Sequence, residues 1–191
     1  MKRIFLIAAI AAATTGLNAQ TVSFGIKGGV NVTTVLADNN ADRDSKVSFH
    51  AGVLSHIHID EQFALQPELF YSGQGFKSKS ISNLKANLNY INLPVLLQYM
   101  AGKGFRLETG PQVGGLIGAK LKGDNIDKDI KDNYKKVDFS WVFGAGYLCK
   151  SGLGVDARYN LGLSNIDDTG NDKVKNRGFA VGLFYQFPSK R

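Results

Sequence analysis

Apolar and polar residues alternate with a period of two in eight segments of this chain. The connections between these segments are alternately long and very short. Such alternation is typical of β-strands with two unlike faces, and about ten tilted residues are enough for a strand to cross a bilayer. The pattern predicts an all-β fold, an eight-stranded antiparallel up-and-down transmembrane β-barrel. Its predicted strands are 21–34, 47–59, 63–76, 87–100, 105–121, 137–149, 153–163 and 177–187.

The two faces of the predicted strands differ in charge. In the last strand Phe179, Val181 and Leu183 share one face, and Gln186 lies on the other. The fourth strand is the least regular, and Pro94 removes a ladder donor there, which predicts a β-bulge at that residue. Seven charged residues fall on the polar faces, which we predict to form the interior: Lys27, Glu68, Arg106, Glu108, Asp138, Asp156 and Arg158.

A soluble barrel would show the same alternation, with its apolar face inward. Two features favour the membrane barrel: aromatic residues recur near the strand ends, as in interfacial girdles, and the connections alternate in length. The short turns are 60–62, 101–104 and 150–152. The long loops, which we predict to face outside the cell, are 37–46, 77–86, 122–136 and 165–176.

Eight strands enclose room for side chains and little more. Arg106 with Glu108, and Asp156 with Arg158, are neighbours on one inner face and can neutralise each other locally. Glu68 can pair with Lys27 or with a partner from the fourth strand. Because buried charges need partners, we expect a polar plug with water pockets in place of an open channel.

The first residues have the features of an export signal. Met1–Arg3 is basic, residues 4–13 are apolar, and Ala19 is a small residue before a predicted cleavage site. About ten apolar residues are too few for a spanning helix. We therefore predict a cleaved signal peptide over residues 1–19 and a single barrel domain over 20–191. Its single cysteine, Cys149, excludes an internal disulfide framework.

Composition and motifs give little evidence of chemistry. The mature chain would hold 21 basic and 16 acidic residues, but no Arg/aromatic stripe points to nucleic acid. His50, His56 and His58 share an inner face, and His56 with His58 can share a transition metal. Hydrogen-bonded lumen histidines are the favoured reading. The aspartates of residues 124–132 lack EF-hand spacing. We predict no cofactor, no catalytic residues and no enzyme activity.

The chain resembles the small outer-membrane β-barrel, or "porin family", proteins common in Bacteroidetes, one branch of which is PorT-like and linked to protein secretion. The segments that carry the resemblance span the mature chain: FGIKGGVN (24–31), LQPELFYSGQG (65–75), YINLPVLLQY (90–99), ETGPQVG (108–114), VFGAGY (142–147) and DARYNLGLSNI (156–166). Phe187 matches the terminal aromatic residue that helps such barrels assemble, although Pro188 to Arg191 follow it.

The resemblance implies a location in the outer membrane of a Gram-negative cell, with lipid and the barrel-assembly machinery as partners. It defines no activity, because fold-level kinship does not supply function. The leading hypothesis is a non-enzymatic barrel with a structural or interaction role in the cell envelope, in which the long loops contact other envelope proteins. The alternatives are a small-solute transporter, a secretion accessory and a soluble periplasmic ligand-binding barrel.

Overall fold

A computed structural model describes residues 21–37, 43–78, 83–124, 126–169 and 173–188. The predicted signal peptide lies outside these residues, as do parts of the long loops. Eight long strands and one short strand make up most of the fold. They are β1 Val22–Ala37, β2 Arg43–His58, β3 Phe63–Ser78, β4 Lys85–Ala101, β5 Phe105–Gly123, β6 Ile126–Asp129, β7 Val137–Leu148, β8 Leu153–Gly162 and β9 Val174–Gln186.

The eight long strands close into one antiparallel ring. Each pairs with its neighbour in sequence, β5 pairs with β7, and β9 pairs with β1 from Gly25↔Gln186 to Ala37↔Val174. This ring confirms the predicted up-and-down barrel. Each of the eight long strands therefore has a hydrogen-bonded neighbour on both sides, as a strand in a bilayer requires. No helix within the described residues is long and apolar enough to span a membrane.

The outer face of the barrel is an almost continuous apolar surface. Phe24 is 63% exposed and Phe179 62%, with Leu183 at 56%. Residues next to them in sequence are buried, for example Ser23, Ala180 and Phe184. Apolar exposure on this scale marks a surface that contacts lipid. The predicted assignment of the two faces is therefore correct in these strands.

With 60–62 as the turn, the sequence predicts that Ile59 lies opposite Phe63 and Leu54 opposite Glu68 in the hairpin of β2 and β3, and the structure confirms this register. Ile59 N–H donates to the carbonyl of Phe63 at 2.9 Å, and Leu54 pairs with Glu68. In the other two short turns glycines take positive φ angles, at Gly104 (φ 115°) and Gly152 (φ 88°). A glycine reaches these angles without the steric penalty that a Cβ brings.

Two predictions about the strands are wrong. Pro94 stays in register, opposite Gln112, and the irregularity in the β4–β5 ladder lies at Asn89/Tyr90, where Ile117 is the extra residue on β5. A proline removes one donor but does not require an extra residue, so the ladder keeps its register. Within the predicted loop 122–136 the chain also forms strand β6, which pairs with β5 from Lys120↔Asp129 to Gly123↔Ile126.

Candidate functional site: the barrel interior

The structure places all seven predicted interior charges on the inner face of the barrel. Each is at most 6% exposed, and they come from β1, β3, β5, β7 and β8. Alternation alone puts them there, because every second side chain of a barrel strand faces inward. What the sequence leaves open is which of these charges contact one another.

An ion pair between Arg158 and Glu68 crosses the lumen. Arg158 Nη1 donates to Glu68 Oε2 at 2.7 Å, and Nη2 donates to Oε1 at 2.8 Å. This is the bidentate geometry in which arginine binds carboxylates most strongly. Arg158 lies on β8 and Glu68 on β3, four strands apart in either direction around the ring. The pair therefore joins opposite walls of the barrel.

Further charges extend this pair into an ion-pair network. Lys27 Nζ lies 3.1 Å from Glu68 Oε2 and 3.6 Å from Asp156 Oδ2. Arg158 also pairs with Glu108 through its Nε atom, and its Nη2 lies 3.7 Å from Asp156. Of the two partners considered for Glu68, the structure shows Lys27. A charge buried in this way is tolerated because opposite charges and hydrogen bonds surround it.

Neutral side chains complete the network. Gln66 donates to Glu68 Oε1 at 2.7 Å, and Gln98 donates to Glu108 Oε2 at 2.8 Å. Gly144 leaves room for it, since a Cβ there would lie 2.7 Å from Glu108 Oε1 and 2.9 Å from Arg158 Cγ. These distances are shorter than van der Waals contact, so a side chain at position 144 would push Glu108 and Arg158 apart and displace their salt bridge.

The other two predicted charges have different partners. Arg106 donates from Nη2 to Gln186 Oε1 at 3.0 Å and forms no ion pair with Glu108. Glu108 pairs with Arg158 instead. The predicted local neutralisation of Arg106 by Glu108 is therefore wrong. Asp138 accepts hydrogen bonds from Ser164 Oγ at 2.6 Å and Asn176 Nδ2 at 2.9 Å. The matching prediction for Asp156 and Arg158 is correct.

The three histidines of β2 all face the interior. His50 Nδ1 and Asn31 Oδ1 lie 2.8 Å apart, which makes His50 part of a hydrogen-bonded layer. The rings of His56 and His58 are 4.6 Å apart, edge to face, and the side-chain amides of Gln66 and Gln98 lie beside His56. No cluster of three metal-ligating side chains occurs in that part of the chain. The metal-binding reading of His56 and His58 stays a prediction.

Little free space remains around the ion-pair network. A cavity of about 20 Å³ lies beside Lys27 and Arg158, lined also by Asn31, His50 and Asn160. A single water needs roughly 10–15 Å³, so the cavity has room for about one water. A hydrated ion requires more room than this cavity offers.

The end of the lumen nearer the long loops is filled by apolar side chains, which form an apolar cap. Tyr90, Leu88 and Ile166 are fully buried there. The third loop closes over them, since Ile130 and Tyr134 pack against the cap. Burial raises the pKa of the Tyr134 phenol. The whole cap consists of Val35, Leu88, Tyr90, Leu116, Ala119, Ile166 and Val174.

Backbone hydrogen bonds between two loops hold the apolar cap in place. Lys135 N–H donates to the carbonyl of Ile166 at 2.8 Å, and Ile166 N–H donates to that of Val174 at 2.8 Å. The prediction of a polar plug describes the other half of the lumen but misses this one. Ile166, an apolar residue within a polar loop, is the one sequence feature that indicates the cap. Alternation assigns no face to a loop residue, so it does not predict that Ile166 is buried.

Comparison with known proteins assigns the family. The family model described as "Outer membrane protein beta-barrel domain" matches residues 18–168, which is most of the chain. This chain belongs to that family. Membership places the protein in the outer membrane, in contact with membrane lipid, and excludes the soluble periplasmic barrel considered above. No curated protein matches the chain.

Solved structures of outer-membrane barrels share the fold. Neisserial surface protein A (NspA) aligns with a TM-score of 0.58 at 12% identity, over 87% of this chain and 99% of its own. Ail, the attachment invasion locus protein of Yersinia pestis, aligns with a TM-score of 0.52 at 16% identity over the same shares. At such low identities the likeness concerns the fold alone.

Proposed function

We propose that this protein is a closed, non-enzymatic outer-membrane barrel whose role in the cell envelope is structural or interactive. One observation carries the proposal, the bidentate pair between Arg158 and Glu68 across the lumen. A contact between opposite walls narrows the lumen at its level, where the cavity beside Lys27 and Arg158 measures about 20 Å³. The apolar cap fills the lumen a second time, nearer the long loops.

Transport would require both the ion-pair network and the apolar cap to move, because they fill the lumen at different levels. The carboxylates of Glu68 and Glu108 are held by cations and by glutamine amides together, which makes the ion-pair network costly to separate. His50 and His56 are buried in the lumen, at 3% and 0% exposed, whereas His58 is partly exposed at the short-turn end of β2. These features support a barrel that neither conducts nor catalyses.

Planar-bilayer recording tests the closed barrel. We expect the purified, refolded protein to give no stable conductance steps at moderate voltage, because the ion-pair network excludes hydrated ions. A large-pore porin inserted in the same bilayer serves as the positive control. Reproducible porin-sized steps from protein of proven purity would contradict the proposal and would make solute transport the leading function.

We also propose an orientation, with the long loops outside the cell and the short turns in the periplasm. Tight turns let hairpins cross the membrane in pairs, while the outer ends tolerate long insertions. The proposal includes the cleaved signal over residues 1–19 and insertion by the barrel-assembly machinery. The displayed loops would then contact other envelope proteins.

Site-directed labelling tests this orientation. In a Cys149→Ser background, Lys128→Cys in the third loop should react with an impermeant maleimide on intact cells. Ser151→Cys, in a short turn, should react only after the outer membrane is opened. Both native side chains are exposed in the structure, so access depends on the membrane alone. The reverse pattern would overturn the orientation.

The finer membership, in the PorT-like branch of Bacteroidetes barrels, is a further part of the proposal. It is supported by the sequence segments that resemble this group, above all LQPELFYSGQG and YINLPVLLQY. A secretion accessory would then be the second candidate function. Deleting the gene and comparing secreted proteins with those of the parent strain tests it, and an unchanged secretome would exclude it.

A further inference from the structure

A basic groove lies on the outer surface of the barrel, at the rim with the long loops. It encloses about 730 Å³. Its polar side carries Lys85, Lys120 and Lys122, all exposed. Lys46 also lines it and donates to the carbonyl of Gln74 at 2.9 Å. Its one acidic residue, Asp124, accepts a hydrogen bond from Asn83 Nδ2 at 2.9 Å.

Three lysines stand side by side across neighbouring strands at this rim. Lys77 of β3 pairs with Lys85 of β4, and Lys85 pairs with Lys122 of β5. Directly opposed residues share a face, with Cβ atoms about 5 Å apart, and like charges in these positions destabilise a sheet. Within the described residues none of the three forms an ion pair shorter than 4 Å.

Acidic residues flank the row of lysines without reaching its centre. Asp44 lies opposite Lys77, and Asp127 lies opposite Lys122. Lys85 alone has a lysine on both sides. An uncompensated positive charge is therefore concentrated at Lys85, where an added anion would relieve the repulsion most.

The bulge in β5 is what brings these lysines to the outer face. Below it the even-numbered residues of β5 face inward, as Gln112 and Leu116 do. Ile117 is the extra residue, and above it Ala119 faces inward at 1% exposed. The even-numbered Lys120 and Lys122 consequently face outward beside Lys85. A bulge that re-aims side chains in this way is typical of functional positions.

The opposite wall of the groove is apolar and aromatic. Val47 is 62% exposed and Phe49 58%. The rings of Phe49 and Tyr71 are 5.2 Å apart, and Tyr71 Oη donates to Asn89 Oδ1 at 2.9 Å. This wall continues into the lipid-facing surface of the barrel. The groove therefore offers cations at its aqueous end and apolar side chains towards the membrane.

We propose that this groove binds the phosphate-bearing headgroup of a lipid in the leaflet that surrounds the long-loop rim. Lysine ammonium groups are good phosphate ligands, and basic pockets beside membrane-spanning segments bind anionic headgroups. The exposed apolar wall favours a lipid over a free anion, because an acyl chain covers Val47 and Phe49 while the phosphate contacts Lys85. The inference rests on the outer-membrane location and, for the choice of lipid, on the proposed orientation, but not on whether the lumen conducts.

Native mass spectrometry of the detergent-solubilised protein tests the proposal. The probes are lipid A with two phosphates and the same lipid A after dephosphorylation, with inorganic phosphate as a competitor. The groove variant combines Lys85→Gln, Lys120→Gln and Lys122→Gln. A matched control removes three lysines that do not line the groove, through Lys103→Gln, Lys135→Gln and Lys150→Gln. Circular dichroism checks that both variants fold.

We expect the phosphorylated lipid to bind the wild-type protein and the control variant equally. Each lysine near a headgroup contributes about fivefold to affinity, so the groove variant should bind on the order of 100-fold more weakly. Equal binding of the dephosphorylated lipid, or no loss in the groove variant, would overturn the proposal. Displacement by millimolar inorganic phosphate would show an anion site that does not require a lipid, which also contradicts it.

Discussion

The two halves of the lumen are filled by opposite chemistry. Nearer the short turns, the ion-pair network joins Arg158 to Glu68 across the barrel, with Lys27, Glu108 and Asp156 around them. Nearer the long loops, apolar side chains of the cap fill most of the lumen, and Asn176 links Tyr90 of the cap to the buried Asp138. The charged half depends on each group keeping its partner, whereas the apolar half depends on volume and close packing. Substitutions should therefore destabilise the fold for different reasons in the two halves, through unpaired charges in one and through cavities in the other.

The largest effect is expected from Arg158→Met. It leaves the carboxylates of Glu68 and Glu108 buried without their shared cation. Breaking a buried ion pair from one side costs about 3–5 kcal/mol. Urea unfolding in detergent micelles, followed by the fluorescence of the single tryptophan, Trp141, measures the loss. Lys103→Met, at an exposed turn, should change the free energy of unfolding by less than about 0.5 kcal/mol.

A smaller loss is expected in the apolar cap from Leu88→Ala. Leu88 is fully buried, and truncating it leaves a cavity among Val35, Leu116 and Ile166. Such a change costs about 2–4 kcal/mol, depending on how far the site relaxes. Leu36→Ala, at a leucine that is 45% exposed at the same end of the barrel, is the control. Equal losses in the two variants would show that the cap is not tightly packed.

The smallest effect concerns pH and separates the two halves directly. Burial raises the pKa of Tyr134 above its usual value of 10.0, so the folded cap favours the neutral phenol. Its contribution to stability is complete below pH 10 and is lost as the pH rises through the folded-state pKa. We expect the urea concentration at the unfolding midpoint to fall as the pH rises from 9 to 11. Tyr134→Phe should flatten this fall, whereas Tyr147→Phe, on the outer face, should leave it unchanged.

The same contrast explains how much of the molecule could be predicted from its sequence. Strand alternation places Lys27, Glu68 and Arg158 inside, because the barrel gives each strand residue only two directions. Alternation also gives the register of the hairpin of β2 and β3, whose short turn begins at Asp60. Contacts across the lumen depend on strand tilt and stagger, which sequence spacing does not contain. Arg158 therefore has partners on β3 and β5 that were not predicted.

Local irregularities were predicted less well. Pro94 predicts a bulge on β4, but the bulge lies at Ile117 on β5. Three glycines surround Ile117, and no neighbouring proline or charged residue indicates a bulge there. That single extra residue turns both Lys120 and Lys122 from the inner face of the barrel to the outer face. Ile166 was missed for a related reason, since a loop residue has no period to reveal its direction.

The contact between Arg158 and Glu68 also has a consequence for the order of folding. Ninety residues separate the two in the chain, and three strands lie between them in either direction around the ring. The pair therefore forms only when β9 meets β1 and the ring closes. Until then both charges are better placed in water than in hydrocarbon. We infer that an open sheet is held back at the membrane surface, and that closure and the burial of these charges occur in one late step.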